Sequence, residues 1–415
     1  MKRLVKESRV ANLAIKAASV IFLTFVSISA VKADDIRINA TPGQVYNLPA
    51  SLNDTHIIIT GSGSSGAPFI VAGAGGKTTL RGNSSIIVTG DFITVRNVSF
   101  VNNQINYRDY EALIQIGTKK NSANNNTISN CDFQYTGTFP DMDVKSQFYW
   151  IEFFGKTNLV DKCTFEGKQN RLPVIHVNSK GWTGDNNTIS NCIFRNVKSR
   201  KGEALEAIRV GFGNSRSNCK IINNNFLNYF GDSETISCKS SGVIVSGNTF
   251  TDCRSGVSLR LGDSCQIINN KFTNTIWPVR VSGAGHVISN NVFDSPTSSI
   301  TFMKGGTGCT YKTVDNITVN DNVFVGQLDL KVLQSSDCDE LPKGVLMRNN
   351  FLYTNGLYKI AEGDYGSVMH GMSPALKART DGIKEFKYSM KNFSPTTDSK
   401  IMQKLKTYQN LKINK

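Results

Sequence analysis

The feature that most constrains the fold of this chain is a short phrase that recurs ten times along it. Each copy holds an apolar residue, then polar positions rich in Asn, and ends in Phe five residues after the apolar one. Typical copies read NNNTISNCDF, CQIINNKF and NITVNDNVF. The closing residues are Phe100, Phe133, Phe165, Phe194, Phe226, Phe250, Phe272, Phe293, Phe324 and Phe351. A fixed phrase at a regular step indicates a solenoid, in which residues one repeat apart become neighbours in space.

The spacing and composition of the repeats indicate strands. The steps between successive Phe residues run from 21 to 33 residues, and the longer ones carry insertions. Runs such as VIVSG and HVISNN alternate at period two, without the three-and-four spacing of a helix. They are bounded by Asn, Gly, Asp and Ser, which favour turns. The sequence therefore predicts an all-β fold, a single-stranded right-handed parallel β-helix of about ten or more coils.

The repeat also predicts what fills the coils. We expect each Phe and the apolar residue five before it to stack in the core. We expect recurrent Asn residues near the turns to form side-chain ladders along the stack. The apolar partners are Val95, Ile128, Val160, Ile189, Ile221, Val245, Ile267, Ile288, Val319 and Leu346.

The chain divides into three predicted segments. Residues 1–33 are typical of a signal peptide, with a basic start, an apolar run from Ala18 to Ala30 and a cleavage site before Asp34. The alternative is an uncleaved membrane anchor, although the run is short for a membrane span. Residues 34–371 form the β-helix domain. In the basic tail, 372–415, apolar residues at helical spacing predict a short amphipathic helix that caps the open end.

Charge points to an acidic partner. The formal net charge is +15, and residues 1–33 contribute six Lys or Arg and one Glu, which leaves about +10 after cleavage. Nucleic acid and an acidic polysaccharide are both candidates, but export to the periplasm or the medium favours the polysaccharide. We expect no nucleic acid partner, no stable membrane insertion after cleavage, and a monomer.

The nine cysteines are expected to be mostly buried free thiols. Cys131, Cys163 and Cys192 each stand two residues before a repeat Phe, where Cys serves as a small apolar stacker. A disulfide framework is not expected from this pattern, and no spacing indicates a zinc site.

Charged residues concentrate in three strings, KGEALEAIRVG (201–211), GDSETISCKSS (231–241) and GVSLRLGDS (256–264). Arg209, Arg260 and Arg280 each lie between two apolar residues, so in a strand each must face solvent. The steps from Arg209 to Glu234, from Lys239 to Arg260 and from Arg260 to Arg280 are 25, 21 and 20 residues. Each is about one coil, which predicts that these side chains line one outer face.

An acidic group accompanies these cations. Its members are Glu203, Glu206, Asp232 and Glu234. Carboxylates on adjacent coils can ligate one hard cation, most naturally Ca²⁺. They can equally form ion pairs with the arginines and hold no metal, and spacing alone favours neither interpretation. Any single lysine, Lys239 included, is most often a solvated surface residue.

At these strings the sequence resembles polysaccharide lyase family six, the alginate lyases and chondroitinase B. EAIRVG (206–211) is similar to the family's GGETIRIG. GDSETISCKSSGVIVSGNTF (231–250) resembles its phrase of two acids, then Lys, then GNTF, and GVSLRLGD (256–263) resembles its LRHG. The motifs occur in the family's order, and the resemblance covers about residues 55–355.

The resemblance implies roles for individual residues. Lys239 matches the catalytic base and Arg260 its partner arginine. Asp232 and Glu234 match two Ca²⁺ ligands, and the third, an Asn in the family, falls on Glu203. The family's His after the arginine is Leu261 here. We expect Arg209 and Arg280 to hold neighbouring uronate carboxylates of the substrate, and we count Glu206 among the substrate-binding residues.

The implied reaction is β-elimination on a uronate polymer, in which Lys239 removes the proton at C5 and Ca²⁺ neutralises the neighbouring carboxylate. The phrases lie nearer to alginate lyases, so poly-mannuronate is the favoured substrate and dermatan sulfate the second. A hydrolase would need a pair of carboxylic acids and fits less well. The alternative is a non-catalytic, adhesin-like solenoid that binds acidic glycans.

Overall fold

The structure is a computed structural model that describes residues 35–73, 75–105, 111–137, 147–179, 181, 183–199, 204–295, 299–325, 330–333, 338–354, 357–364 and 389–392. Within these ranges it contains β-strands and no helix, hence no helix long and apolar enough to cross a membrane. The predicted signal peptide, the predicted tail helix and Glu203 lie outside the described residues.

The described strands form a parallel β-helix of twelve coils, which confirms the predicted fold class. Each coil gives one strand to a twelve-stranded ladder, called sheet A here. Its strands are β1 (Ile36–Ala40), β4 (His56–Gly61), β7 (Ser85–Val88), β10 (Ala112–Ile116), β13 (Tyr149–Phe153), β16 (Ile175–Val177), β19 (Ile208–Val210), β22 (Ile236–Cys238), β25 (Ser255–Leu259), β28 (Trp277–Val281), β31 (Ile300–Met303) and β34 (Leu330–Leu333).

Two further ladders carry the repeated phrase. The first holds its apolar residue, in β2 (Val45–Leu48), β5 (Phe69–Gly73), β8 (Ile93–Arg96), β11 (Thr127–Ser129), β14 (Leu159–Asp161), β17 (Thr188–Ser190), β20 (Lys220–Ile222), β23 (Ile244–Ser246), β26 (Gln266–Ile268), β29 (Val287–Ser289) and β32 (Ile317–Asn320). The second holds its Phe, in β3 (Ser51–Asn53), β6 (Thr78–Arg81), β9 (Val98–Val101), β12 (Asp132–Gln134), β15 (Thr164–Glu166), β18 (Ile193–Val197), β21 (Asn225–Tyr229), β24 (Thr249–Thr251), β27 (Lys271–Thr273), β30 (Val292–Asp294) and β33 (Val323–Val325).

The ladders end in a long strand. β35 (Val345–Thr354) pairs in parallel with both β32 and β33. β36 (Leu357–Asp364) then pairs antiparallel with β35, and β37 (Ser389–Asn392) pairs antiparallel with β36. The parallel stack therefore gives way to antiparallel strands after its last coil.

The Phe column forms the core as predicted for nine of its ten members. Phe100 to Phe324 stack ring on ring, with centroids 4.6 to 5.1 Å apart, close to the spacing of paired strands. All nine are buried. The apolar column beside it runs in register from Val95 to Val319 and is buried too.

The tenth phrase is out of register by one residue, so the expectation for Leu346 and Phe351 is wrong. Phe324 pairs with Leu352, and Val319 pairs with Met347. The reason is Asn350, whose side-chain oxygen accepts a hydrogen bond from the backbone N–H of Asn322 at 3.2 Å. Because this bond fixes the turn, the residue two after Asn350 enters the core column.

The predicted asparagine ladder is present. Asn248 Oδ1 accepts the backbone N–H of Asn224 at 2.8 Å, and Asn248 Nδ2 donates to the carbonyl of Ile221 at 2.8 Å. The pattern repeats at the residues one coil apart that follow, namely Asn270, Asn291, Asn322 and Asn350. Each side chain satisfies buried backbone groups that the turn leaves without a strand partner.

Cysteine fills the same column in earlier coils. Cys131, Cys163 and Cys192 are buried free thiols, as predicted, and Cys192 N–H donates to Asn224 Oδ1 where the column changes from Cys to Asn. Cys219, Cys238, Cys253 and Cys265 are buried free thiols as well. Cys309 and Cys338 form a disulfide that the repeat pattern did not predict.

We expect Phe226→Ala to lower the free energy of unfolding by about 3–5 kcal/mol, because it leaves a cavity between two stacked rings. Phe212→Ala is the matched control, since Phe212 is 57% exposed. Urea titration of both variants measures the difference. Equal losses in the two variants would show that the stacked column does not carry the stability.

Candidate active site

A column of polar side chains runs along sheet A. Backbone pairing aligns its members coil by coil, and we call them the polar column: Glu152, His176, Arg209, Ser237, Ser258, Arg280 and Thr301. Each alternates with apolar residues that point into the core, such as Ile208 and Val210 around Arg209. The prediction that Arg209 and Arg280 lie on one face is confirmed, and three coil steps separate them.

Lys239 and Arg260 follow directly after β22 and β25. The backbone N–H of Lys239 donates to the carbonyl of Val210, and that of Arg260 to the carbonyl of Cys238, both at 2.9 Å. The two residues therefore occupy equivalent positions on successive coils, beside the polar column. This confirms the predicted one-coil step between Lys239 and Arg260.

Glu206 joins Arg209 to Lys239. Arg209 donates from Nε and Nη2 to the Glu206 carboxylate at 2.6 to 2.8 Å, and Lys239 Nζ lies 4.0 Å from Glu206 Oε1. Burial raises the pKa of Glu206; the charge of Arg209 opposes that rise, and the charge of Asp232 adds to it. A buried acid thus fixes the orientation of Arg209 next to the lysine.

Glu234 joins the other two arginines. Arg280 Nη2 lies 2.7 Å and Arg260 Nη1 3.3 Å from Glu234 Oε1, while Ser237 donates to Oε2. Burial alone would raise the pKa of Glu234, but Arg280 and Arg260 hold it below its ordinary value. The ionised Glu234 carboxylate therefore orients the guanidinium groups of Arg260 and Arg280.

Asp232 forms hydrogen bonds with backbone groups. Its Oδ2 accepts hydrogen bonds from the backbone N–H groups of Ala204 and Leu205. Its Oδ1 accepts hydrogen bonds from the backbone N–H of Glu234 and from the Ser233 hydroxyl. These bonds tie the segment before β19 to the segment before β22. Asp232 therefore positions the strings that carry Glu206 and Glu234.

Two of the three predicted calcium ligands, Asp232 and Glu234, are engaged by other protein groups in this structure. No group of three His, Cys, Asp or Glu that could hold a metal ion occurs in the described part of the chain. Asp232 is committed to backbone N–H groups, and Glu234 to Arg260 and Arg280. Glu206 and Glu234 form the ion pairs of the alternative interpretation, whereas Asp232 accepts hydrogen bonds from backbone N–H groups. Because Glu203 lies outside the described residues, the calcium prediction itself stays a prediction.

The surroundings of Lys239 lower its pKa below the ordinary value. Burial is the largest cause, because it disfavours the charged ammonium, and the charge of Arg209 comes next. Glu206 and Glu234 work in the opposite direction, and Arg260 lowers the pKa further. A lysine whose pKa moves toward neutrality can serve as a general base.

Sequence reasoning missed two parts of the site. The Tyr311 ring lies under the Arg260 guanidinium at 5.7 Å, and Lys312 pairs with Asp263 at 2.6 Å. Tyr311 and Lys312 lie in the loop that follows β31. The Cys309–Cys338 disulfide links this loop to the segment after β34, and no repeat phrase marks the loop in the sequence.

The second missed part is His176 with Glu152, whose Nδ1 and Oε1 atoms lie 3.0 Å apart. Each stands between two apolar residues, as Arg209 does, so the pattern that found the arginines could have found this pair.

Comparison with solved structures shows the same fold. A mannuronic acid specific polysaccharide family 6 lyase from human gut microbiota matches with a TM-score of 0.64 and 19% identity, over 77% of this chain and 82% of that chain. The family 6 polysaccharide lyase of Pseudopedobacter saltans matches with a TM-score of 0.65 and 18% identity, over 77% and 85%. No protein of curated function matches significantly.

A sequence match over most of the chain shows the family. The chondroitinase B family model matches residues 39–357, more than half of the chain and all the coils that carry the site. This range contains Lys239, Arg260 and the arginines of the polar column. The chain belongs to the chondroitinase B family and is a polysaccharide lyase.

Proposed function

We propose that this protein is an exported lyase that cleaves an anionic uronate polymer by β-elimination, with Lys239 as the base. One observation carries the proposal: Lys239 is partly buried between Arg209 and Arg260 and has a lowered pKa. Such a lysine can remove a proton from carbon, and the cations around it suit the carboxylates of the polymer. The predicted signal peptide, residues 1–33, supports export.

The reaction starts at C5 of a uronate, whose proton is acidic because it lies α to the carboxylate. Lys239 Nζ accepts that proton. The electron pair of the C–H bond forms the C4–C5 double bond, and the C4–O bond breaks with its electrons on the leaving oxygen. That oxygen takes a proton from water, because an arginine side chain such as that of Arg260 stays protonated in proteins.

The arginines of the site stabilise the charge that develops during this step. Arg260 and Arg280 are held by the buried Glu234, and Arg280 Nε also donates to the Ser258 hydroxyl at 3.1 Å. Fixed donors of this kind need no reorganisation when the substrate carboxylate gains negative charge. Arg209, held by Glu206, serves in the same way for a neighbouring uronate carboxylate.

We favour poly-mannuronate as the substrate and place dermatan sulfate second, because the motif phrases lie nearer to those of alginate lyases. The unsaturated product absorbs in the ultraviolet, so absorbance on each polymer tests both reaction and substrate. No absorbance rise on any uronate polymer, with the polymer still bound, would favour the non-catalytic, adhesin-like alternative. That alternative is supported by Leu261, an apolar residue where the family has His.

Calcium is proposed as a cofactor held by Glu203, Asp232 and Glu234, where it would act as a Lewis acid on the substrate carboxylate. The same absorbance assay, repeated after chelation and after calcium is restored, tests this proposal. Loss and recovery of activity would support a bound ion. Unchanged activity in chelator would mean that the arginines alone neutralise the substrate carboxylate.

We expect Arg209→Gln to move the rise of kcat with pH toward higher pH. Removal of this cation eliminates a repulsion of the Lys239 ammonium and frees Glu206 to attract it, and both effects raise the pKa of Lys239. Since the base acts only when deprotonated, activity near neutral pH falls and recovers in alkali. A pH–rate profile that keeps its midpoint would contradict this role for Arg209.

A further inference from the structure

The loop between β31 and β32 lies against Arg260 but has no part in the proposed reaction steps. It comprises residues 304–316 and carries Cys309, Tyr311 and Lys312. We call it the clamp loop, because it is fastened on one side to the chain around Arg260 and on the other side to the segment after β34.

Three contacts fasten the clamp loop to the chain around Arg260. The Tyr311 ring centroid lies 5.7 Å from Arg260 Cζ, which is within the range of a cation–π contact. The buried Ser282 hydroxyl lies 3.0 Å from the Arg260 carbonyl oxygen and 3.1 Å from that of Lys312, so it links the two backbones. Lys312 Nζ pairs with Asp263 at 2.6 Å. The loop therefore contacts the Arg260 side chain directly and its backbone through a shared hydroxyl.

The opposite side of the clamp loop is fastened to the segment after β34. Cys309 forms a disulfide with Cys338, and the two sulfur atoms lie 3.0 and 3.9 Å from the Tyr311 carbonyl oxygen. Gly305 and Glu340 exchange two backbone hydrogen bonds, at 3.0 and 2.9 Å. The disulfide thus packs against the backbone of Tyr311 itself.

Burial contributes little to holding the clamp loop in place. Its residues are exposed or half-buried, apart from Gly305 and Val314. Segments with few buried contacts open locally at low cost, whereas a covalent link limits how far they can move. The position of the Tyr311 ring therefore depends on the disulfide more than on packing.

Arg260 is the least constrained of the three arginines of the site. Its side chain is 28% exposed, against 17% for Arg280 and 12% for Arg209. Its ion pair with Glu234 is 3.3 Å long, whereas the shortest pairs of Arg280 and Arg209 are 2.7 and 2.6 Å. An aromatic face beside a guanidinium restricts the plane that it can take. The Tyr311 ring therefore adds orientation where the carboxylate holds least closely.

We propose that Tyr311 is a positioning residue for Arg260 and that the Cys309–Cys338 disulfide keeps it in place, so that the enzyme is fully active only when this disulfide is formed. The inference rests on the proposed function, in which Arg260 stabilises charge that develops during elimination. A misaligned guanidinium still attracts the polymer but stabilises the transition state less, so kcat should fall while KM changes little. An exported enzyme meets the oxidising conditions that maintain disulfides.

The first test compares Tyr311→Ala with Tyr311→Phe, by kcat and KM on the uronate polymer that the parent cleaves fastest. We expect Tyr311→Ala to lower kcat about fivefold, as for the loss of one cation–π contact. Tyr311→Phe keeps the ring and should retain most of the parental kcat. The matched control is Tyr46→Ala, which removes a partly exposed tyrosine from β2 and should have no effect.

Parental kcat in Tyr311→Ala would overturn the positioning role. A loss in Tyr311→Phe as large as that in Tyr311→Ala would overturn it too, because the effect would then belong to the hydroxyl rather than to the ring.

The second test measures kcat before and after treatment with a phosphine reductant, below the melting temperature of the reduced protein. The other cysteines of the chain are buried free thiols, so the reductant acts on the Cys309–Cys338 disulfide. We expect kcat of the parent to fall about fivefold, because the same ring contact is lost, and to recover on reoxidation. Tyr311→Ala should lose nothing further in reductant, because the disulfide acts through this ring.

A disulfide that only stabilises the fold would lower the melting temperature on reduction and leave kcat unchanged, which would overturn the inference. An equal loss of kcat in the parent and in Tyr311→Ala would overturn the path through Tyr311. Failure of the proposed function looks different, since the oxidised parent would then produce no ultraviolet absorbance from any uronate polymer.

Discussion

Lys239→Ala is expected to lower kcat on a uronate polymer by about 10²–10⁴-fold, the usual contribution of a positioned general base. Lys239 is the lysine that the fold places between Arg209 and Arg260, and its lowered pKa suits it to the free-base form. Because the hydrogen bond from the backbone N–H of residue 239 to the Val210 carbonyl is kept in the variant, folding should survive. Ultraviolet absorbance of the product measures the loss, and the melting temperature checks the fold.

The matched control is Lys220→Ala, which removes the same charge from an exposed position on the ladder of β20. It should retain nearly full activity. If Lys239→Ala kept the parent rate, the assigned mechanism would be wrong even for an active lyase. An equal loss in both variants would mean that total charge, rather than one base, governs the rate.

Glu234→Gln is expected to have the second large effect, on stability and on activity together. Arg260 and Arg280 both pair with the Glu234 carboxylate, which is 3% exposed. Replacing it with an amide leaves two partly buried guanidinium groups without their counter-charge, a loss of about 3 kcal/mol. Urea unfolding measures this loss. Activity should fall as well, because neither arginine keeps its orientation.

Glu166→Gln is the control, since Glu166 forms a two-bond pair with Arg195 on the solvent side of the rod. Exposed pairs contribute at most about 1 kcal/mol, so this variant should be nearly neutral. Similar small losses in the two variants would show that Glu234 is not the anchor of the arginines. Full activity in Glu234→Gln would exclude it both as an anchor and as a calcium ligand.

Much of the fold could be predicted from the sequence. The alternation of β-branched residues and the recurrent Asn and Phe residues are local properties, and each coil repeats them. The nine stacked rings and the asparagine ladder followed directly. The prediction for the last phrase was wrong because Asn350, not the aromatic residue, sets the register of β35.

The sequence predicted which residues form the candidate site, but not which of them form ion pairs with one another. Lys239, Arg260, Arg209 and Arg280 came together on one face, as the coil step required. That Glu206 holds Arg209 while Glu234 holds Arg260 and Arg280 could not be predicted. Glu206 and Glu234 lie in the segments before β19 and β22, whose paths the repeat does not encode, and their side-chain partners depend on those paths.

The sequence by itself determined that the chain is a stack of coils and which lysine and arginines meet on it. A strand alternates its side chains strictly, and parallel coils keep equivalent positions one above another. Only the tertiary structure decided which carboxylate each cation meets, which acid accepts hydrogen bonds from the backbone, and that Glu152 pairs with the buried His176. These depend on burial and on contacts between distant coils, where a few ångströms decide whether two groups pair.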